Sequence, residues 1–404
     1  MTRLLPLLAA TAALLLGALA VRAGDEAPTN MIEALQQRLD SGAMTLAYAD
    51  DGHGYLQALL KTFDIPRTSQ VLVFSGGSLQ FDRISQKTPR ALYYRDDISV
   101  GTVQDGRFIE IIVSDRDTDL AYYTLDAARG QRPQFTRRTG ECIICHGFAS
   151  RWASGLMVSN TETGPGGKIL NLDPRNLFYL TTQATPFAER YGGWYVTGNT
   201  GAMKHRGNVT LNPADSPTLP PGGLNLASLA GRIDPARYLE PGSDIVSLLT
   251  LEHQAGVINL IARINAQYRG LDNDDIKPAL RATAQDIDAS IAQLVTVMRF
   301  ADEVALPSPV QGSSGFAASF AAEGPHDGKG RSLREFELRS RLFRHPLSYM
   351  IYSQAFADLN PQARMRVLRG LYDALGKARG GAAAINIAAA TVKMLPDFWQ
   401  PVAE

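Results

Sequence analysis

Two cysteines and a histidine lie within five consecutive residues, Cys142-Ile143-Ile144-Cys145-His146. Cys-x-x-Cys-His is the attachment sequence of a c-type haem. Two thiols three positions apart on one helical turn can each bond a haem vinyl group, and the adjoining imidazole can then be the proximal axial ligand of the iron. The pattern therefore predicts one covalently bound haem c, with iron, held by Cys142, Cys145 and His146.

The same residues could instead form a redox-active dithiol or half of a zinc site. Cys142 and Cys145 are the only cysteines in the chain, and no paired His or Cys spacing offers the further ligands that zinc needs. A dithiol leaves the histidine directly after the second cysteine unexplained. Covalent haem is the interpretation that gives all three residues a role.

The second axial position of the iron would separate an electron carrier from a catalyst. A Met or His there gives a six-coordinate electron-transfer haem, whereas an open position lets peroxide or another small ligand bind. Met203 and His205 lie in a Gly-containing loop well beyond the motif. We predict His205 as the ligand because imidazole binds haem iron well, with Met203 as the alternative. Both could also be ordinary loop residues.

His253 is a third candidate, on a different element. It falls four residues after Leu249 and four before Val257, on the apolar stripe of a helix predicted from Asp244 to Tyr268. A lone histidine on a buried face is more often a core residue with hydrogen-bond partners. The sharper interpretation places it in the haem pocket, as a ligand or as a general base over an open iron.

Other residues near the motif have weaker claims. Arg137, Arg138 and Arg151 could pair with haem propionates, since Arg suits bidentate carboxylate contacts, or they could be solvated charges. Met157 is another loop thioether, which we expect to pack rather than to bind iron.

The first 23 residues have the pattern of a cleavable signal peptide. Arg3 precedes an apolar run from Leu4 to Ala20, and Val21 and Ala23 occupy positions −3 and −1 of the predicted cut. An uncleaved membrane anchor is the alternative. Haem attachment to this motif takes place outside the bacterial inner membrane, so export and motif agree on a periplasmic protein.

Composition indicates a soluble, globular chain with no affinity for nucleic acid. Forty Lys and Arg residues balance forty Asp and Glu residues, and cleavage would remove Arg3 and Arg22 and leave a net charge of −2. No basic excess for nucleic acid remains, and we expect no stable membrane insertion after cleavage. A single haem implies a redox partner protein, because one haem alone cannot carry electrons over a long distance.

The pattern of the chain predicts an α+β fold. Alternating apolar residues give strands between residues 71 and 125, after two amphipathic helical pieces, and long helical patterns follow residue 243. Further helices are predicted at 274–304, 332–353, 361–377 and 382–394, with a loop at 312–330. The predicted regions are a signal peptide (1–23), an N-terminal α/β region (24–135), a haem-binding region (136–212), a Pro-rich linker (213–223) and a helical C-terminal region (224–404).

Several stretches together resemble a known group of proteins. They are the motif itself and four others: Thr88-Pro89-Arg90-Ala91-Leu92-Tyr93-Tyr94, Gly192-Gly193-Trp194-Tyr195-Val196-Thr197-Gly198, Leu251-Glu252-His253-Gln254, and Pro346-Leu347-Ser348-Tyr349-Met350. They look like exported bacterial cytochrome c domain proteins with a single mid-chain motif, over about Leu72 to Trp399. The resemblance implies haem binding and electron transfer. The group often carries Met where this chain has Arg206, so a Met ligand at that position is excluded here.

Overall fold

The computed structural model describes residues 27–129, 132–147, 151–170, 180–212, 225–271 and 281–404. The predicted signal peptide and the predicted linker at 213–223 lie outside these ranges. The N-terminal half holds a six-stranded antiparallel sheet, and helices predominate in the C-terminal half. The predicted α+β fold is confirmed.

The sheet is a simple meander in which each strand pairs with the next one along the chain. Each of the central pairs is joined by a tight turn, for example at Asp96, whose backbone has a positive φ. The strands are β1 (Val71–Val73), β2 (Arg90–Arg95), β3 (Ile98–Thr102), β4 (Phe108–Asp115), β5 (Asp119–Asp126) and β6 (Phe135–Arg137).

The two faces of the sheet belong to two different apolar clusters, because successive side chains of a strand point to opposite faces. One face packs under the N-terminal helices α1 (Met31–Asp40) and α2 (Leu56–Thr62) and contributes Tyr93 and Val100 to that cluster. The other face contributes Tyr94 and Tyr122 to a larger cluster that extends into the C-terminal helices. The functional residues described below lie on this second side.

The longest helix, α4 (Ile245–Leu271), runs through the larger cluster. It is long and apolar enough to cross a membrane by length and composition, but 89% of its most apolar window is buried inside the protein. Asp244 begins it, since its carboxylate accepts hydrogen bonds from the amides of Val246 and Ser247. The remaining helices and short strands are α3 (Glu141–His146), β7 (Gly198–Asn199), α5 (Ala284–Met298), β8 (Gln311–Gly312), α6 (Phe316–Ala322), α7 (Gln354–Ala357), α8 (Pro361–Leu375) and α9 (Gly381–Thr391).

Some sequence predictions of helices and loops are wrong in detail. The segment predicted as a loop at 312–330 contains α6. The helix predicted at 332–353 is absent: turns and one 3-10 turn, Tyr349–Tyr352, replace it. The second long helix is confirmed over Ala284–Met298, while residues 272–280 lie outside the described chain.

Candidate functional site

The Cys-x-x-Cys-His residues form the short helix α3 at the end of the sheet. Cys142, Cys145 and His146 are related by three and four positions, which places them on the same side of a helix, and all three are half-buried. Ile143 and Ile144 point the other way, and 40% and 69% of their surfaces are exposed. The helix therefore presents the two thiols and the imidazole together to the interior.

A backbone carbonyl fixes the tautomer of His146. Its Nδ1 lies 2.6 Å from the carbonyl oxygen of Gly155. Since a carbonyl can only accept, Nδ1 carries the proton and Nε2 keeps its lone pair. Burial is the largest of the effects that lower the pKa of His146. The side chain is therefore held as a neutral imidazole with Nε2 available, which is the form that binds a metal.

Helix α4 positions this carbonyl through Asn259. The Asn259 side-chain amide accepts a hydrogen bond from the amide of Leu156 at 2.7 Å and donates one to the carbonyl of Leu156 at 2.8 Å. The preceding residue, Gly155, is bonded twice to His146, because its own amide also donates to the His146 carbonyl at 3.0 Å. A chain of hydrogen bonds thus runs from the core helix to the imidazole.

His146 and the cysteines open onto a cavity between the sheet and α4. The cavity has two lobes, each with an internal volume of about 110 Å³, and both are lined by Cys145 and His146. The lobe that is larger when its open mouth is included reaches Leu251 and Ala255 of α4, and the smaller one reaches Cys142. The sheet forms one wall, with the side chains of Leu92, Ser99, Ile112, Tyr122 and Thr124 among its lining.

An ion pair lies on this wall and spans three strands. Arg90 of β2 reaches across β3 to Glu110 of β4, with Nη2 3.0 Å from Oε2. Gly101 is the β3 residue between them, and a Cβ there would lie 2.6 Å from Arg90 Nη2. The absence of a side chain at Gly101 therefore makes room for the guanidinium. Arg90 and Glu110 line both lobes of the cavity.

The environment of the two thiols differs from that of a reactive dithiol. Burial, followed by the negative charges of Glu110 and Glu141, raises the pKa of Cys142 to about 11. Burial also raises the pKa of Cys145. Redox-active and nucleophilic cysteines have lowered pKa values, next to cations or helix N-termini. These thiols suit covalent attachment in an apolar cavity better than thiolate chemistry.

His205 and Met203 lie away from the cavity in the described structure. His205 is buried, its Nδ1 accepts a hydrogen bond from the Gly207 amide at 3.1 Å, and its Nε2 has no partner among the described residues. In that tautomer Nε2 carries the proton, so no lone pair is available there for iron. Met203 is packed in the core at 1% exposure. Neither side chain lines either lobe, and the prediction of His205 as a ligand stays a prediction that would require this loop to move.

His253 lies on the buried face of α4, as the helical periodicity predicts. Its Nδ1 is 2.7 Å from the amide oxygen of Gln183, and its Nε2 is 2.6 Å from the hydroxyl of Ser348. Both nitrogens are thus bonded to protein groups. The geometry favours a core histidine over a residue of the haem pocket.

The three arginines near the motif do not line the two lobes. Arg137 pairs with Glu33 and Asp115, and Arg138 binds Thr124 and lies 3.6 Å from Glu141. Arg151 is exposed and lies over the ring of Trp152. Sequence reasoning missed Arg90, which lines both lobes of the cavity. The available signal was a charged residue on one mostly apolar strand and a glycine, Gly101, on the next.

The residues present fit a covalently attached haem better than a metal ion held by protein alone. Within the described ranges, no three His, Cys, Asp or Glu side chains are grouped so that they could hold a metal ion, which disfavours a zinc site. Two unpaired thiols and an imidazole with a free Nε2 lie together on the wall of a largely apolar cavity instead. Arg90 Nε is also buried without a partner in the described chain, as expected of a donor awaiting an anionic group.

Comparison with known proteins identifies no relative of this chain. No protein-family model, no curated protein and no solved structure matches the chain.

Proposed function

We propose that this protein is a periplasmic monohaem c-type cytochrome that passes single electrons to a partner protein. The observation that carries the proposal is the position of His146, with Nδ1 donating to the Gly155 carbonyl and Nε2 free beside two unpaired thiols on a cavity wall. Haem c, when bound, supplies an iron that changes its charge by one electron.

The chain's own residues have separate parts in this function. Cys142 and Cys145 would form the thioether bonds that fix the group on α3. His146 would bind the iron through Nε2, and the Gly155 carbonyl would make the imidazole a stronger donor by accepting a hydrogen bond from Nδ1–H. The apolar residues of the cavity, such as Leu92, Ile112 and Leu251, exclude water from the site.

The partner would dock where the attached group is nearest to solvent. Ile143 and Ile144, between the two cysteines, are among the few exposed large apolar side chains of the described chain. An electron-transfer partner suits a small, transient contact of this kind. The even balance of charges argues against nucleic acid as a partner.

A second function is favoured by one observation, the composition of the cavity wall. Apart from His146, the only histidine or methionine that lines either lobe in the described structure is Met157. Met157 follows Gly155 by two residues, on the segment whose carbonyl binds Nδ1 of His146. The runner-up is therefore a haem-dependent periplasmic enzyme with an open iron position, a peroxidase or a small-molecule oxidoreductase.

The first experiment is intact-mass analysis of the protein exported from a strain with c-type maturation. We expect a chain beginning at Gly24 that carries one haem, and we expect the haem to stay on the polypeptide in acid acetone. A Cys142→Ser, Cys145→Ser variant should carry none, whereas Ile143→Ser, between the two thiols, should carry a full complement. Pigment that extracts into acid acetone, or covalent haem on the double cysteine variant, would refute the proposal.

A further inference from the structure

The wall of the cavity that the sheet forms carries a charged residue, Arg90, to which the proposed function gives no role. The Arg90 side chain is only 16% exposed. A guanidinium has five N–H donors, and in the described chain Nε has no hydrogen-bond partner while Nη2 has only the Glu110 carboxylate at 3.0 Å. A mostly buried cation with spare donors therefore lies on the wall of the cavity that holds His146.

The partner of Arg90 is also shared. Both carboxylate oxygens of Glu110 accept from the Ser78 hydroxyl, at 3.1 Å each. Ser78 lines the smaller lobe with Glu110. Glu110 thus orients the guanidinium over Gly101 and partly neutralises it, while Nε has no hydrogen-bond partner in the described chain.

Few side chains on the cavity wall could occupy the second axial position of the iron. Among the described residues that line it, Met157 is the only further histidine or methionine. The internal segments outside the described ranges contain no histidine, methionine or cysteine in their sequence. A ligand of the kind that closes an electron-transfer haem would thus have to come from Met157 or from a rearrangement of the core.

We propose that this cavity binds a small inorganic anion at the haem iron, and that Arg90, held across Gly101 by Glu110, is the residue that recognises it. The inference rests on the proposed covalent haem at His146, and it requires that the second axial position of the iron be open to an added ligand. Arginine suits this task because its charge-assisted hydrogen bonds to anions are about twice as strong as neutral ones. The ligand class is a monovalent anion small enough to share the cavity with the haem, for which azide is the probe.

Azide binding to the ferric holoprotein, followed by the change in the Soret band, tests the assignment. Arg90→Leu should weaken azide binding about tenfold or more, as expected on loss of a charge-assisted hydrogen bond. Glu110→Gln should strengthen it, because the competing negative charge is gone. Arg95→Leu is the matched control: Arg95 belongs to the same strand, pairs with Glu323 and does not line the cavity, so its variant should bind azide as the wild type does.

A second variant keeps Arg90 but moves it. Gly101→Ala places a Cβ against the guanidinium, which can yield because it is the end of a flexible side chain. The fold should persist by circular dichroism while azide affinity falls towards that of Arg90→Leu. CO binding to the ferrous protein should change less than threefold in every variant, because CO is neutral and is attracted little by the guanidinium charge.

Three results would overturn the inference. A wild type with a full complement of covalent haem that binds neither azide nor CO has a closed iron, which leaves the proposed function standing. Equal azide affinity in the wild type and Arg90→Leu removes the role of Arg90. A change only in the reduction potential and its pH dependence on Arg90→Leu would assign Arg90 to a carboxylate of the haem instead. Absence of covalent haem would refute the proposed function itself.

Discussion

The histidines of this chain show how hydrogen-bond partners decide what an imidazole can do. His146 donates from Nδ1 to a carbonyl and keeps Nε2 free. His205 accepts at Nδ1 from a backbone amide, and His253 is bonded at both nitrogens. Only the first arrangement leaves a lone pair pointing away from its protein partner. The residue type alone would have ranked all three as ligands.

Burial of His253 predicts a loss of stability in acid. Burial lowers the pKa of His253 to about 3, so the buried ring is neutral, with Nδ1–H donating to the amide oxygen of Gln183. The unfolded chain has a histidine pKa of about 6.5 and takes up a proton first, so stability is fully present above that pH and falls as the pH drops towards 3. Burial lowers the pKa of His205 to about 4 and acts in the same direction.

The measurement is urea unfolding of the wild type and His253→Gln at pH 8, 6 and 5. The difference at pH 8 records the changes in packing and hydrogen bonding but not the ionisation of the ring, because the ring is neutral in both states there. Between pH 8 and 5 the wild type should lose about 2 kcal/mol more than the variant, from 1.4 kcal/mol per pH unit below the unfolded pKa. Burial raises the pKa of Asp97 to about 6, but this acts equally in both proteins. Parallel pH curves would contradict the prediction.

At the scale of elements, α4 positions His146 through the side chain of Asn259 and the backbone of residues 155 and 156. Asn259→Ala would remove both hydrogen bonds to Leu156 and leave its half-buried backbone groups unpaired, at a cost of about 1–3 kcal/mol. The Gly155 carbonyl would then be held less firmly against Nδ1. We expect a weaker Nδ1 hydrogen bond and therefore a lower iron–histidine stretching frequency in the Raman spectrum of the ferrous holoprotein.

Asn265→Ala is the matched control for this positioning role. Asn265 is on the same helix, and its side chain also binds residues outside the helix. It accepts a hydrogen bond from the Asn360 amide at 2.7 Å and donates one to Asp119 at 2.9 Å. Its loss should lower the urea midpoint by a similar amount and leave the iron–histidine frequency unchanged. If both variants shift that frequency, or neither does, Asn259 has no special connection to His146.

The strands were predictable because each pairs with its neighbour in sequence and alternates its apolar residues over enough positions. β6 was missed because it is three residues long and its side chains face mostly solvent. The segment 332–353 has the apolar content of a helix, but it forms turns. Arg334 is buried there and binds the Gly324 carbonyl and the Asp96 carboxylate, which hold this part of the chain in place. Long-range side-chain contacts of this kind leave no periodic trace in a sequence.

The candidate site was predictable only as far as one local motif reaches. Cys142, Cys145 and His146 are neighbours in sequence, so their spacing alone predicts a site of haem attachment. Arg90 and Glu110 come together only through the register of three strands, in which Gly101 is opposite Glu110 and Leu92. Gly155 acts on His146 through backbone atoms, which any residue type supplies, and the Asn259 side chain acts on it only through the backbone of Leu156. A glycine inside β3 was the one available signal for a close approach.

At the scale of the whole molecule, the cavity separates two parts of one apolar cluster. The sheet face with Tyr122 lies on one side of it and α4 with Leu251 on the other. Of the cluster on the opposite face of the sheet, under α1 and α2, Ile111 and Tyr123 line the smaller lobe, and no buried member lines the larger one. An attached haem would therefore complete mainly the first cluster, and stability would be gained locally.

Hydrogen–deuterium exchange of the wild type and the Cys142→Ser, Cys145→Ser variant tests this coupling. Without the group, the lining of the cavity lacks packing partners, so segments 141–147, 151–161 and 251–259 should exchange at least about tenfold faster, as expected for local opening. Helices α1, α8 and α9 should exchange at the wild-type rate. An Ile143→Ser, Ile144→Ser variant changes the same helix on its exposed side and should leave segments 151–161 and 251–259 unaffected. Uniformly faster exchange across α8 and α9 would instead mean that the haem supports the whole fold, because the C-terminal helices then open together with the cavity.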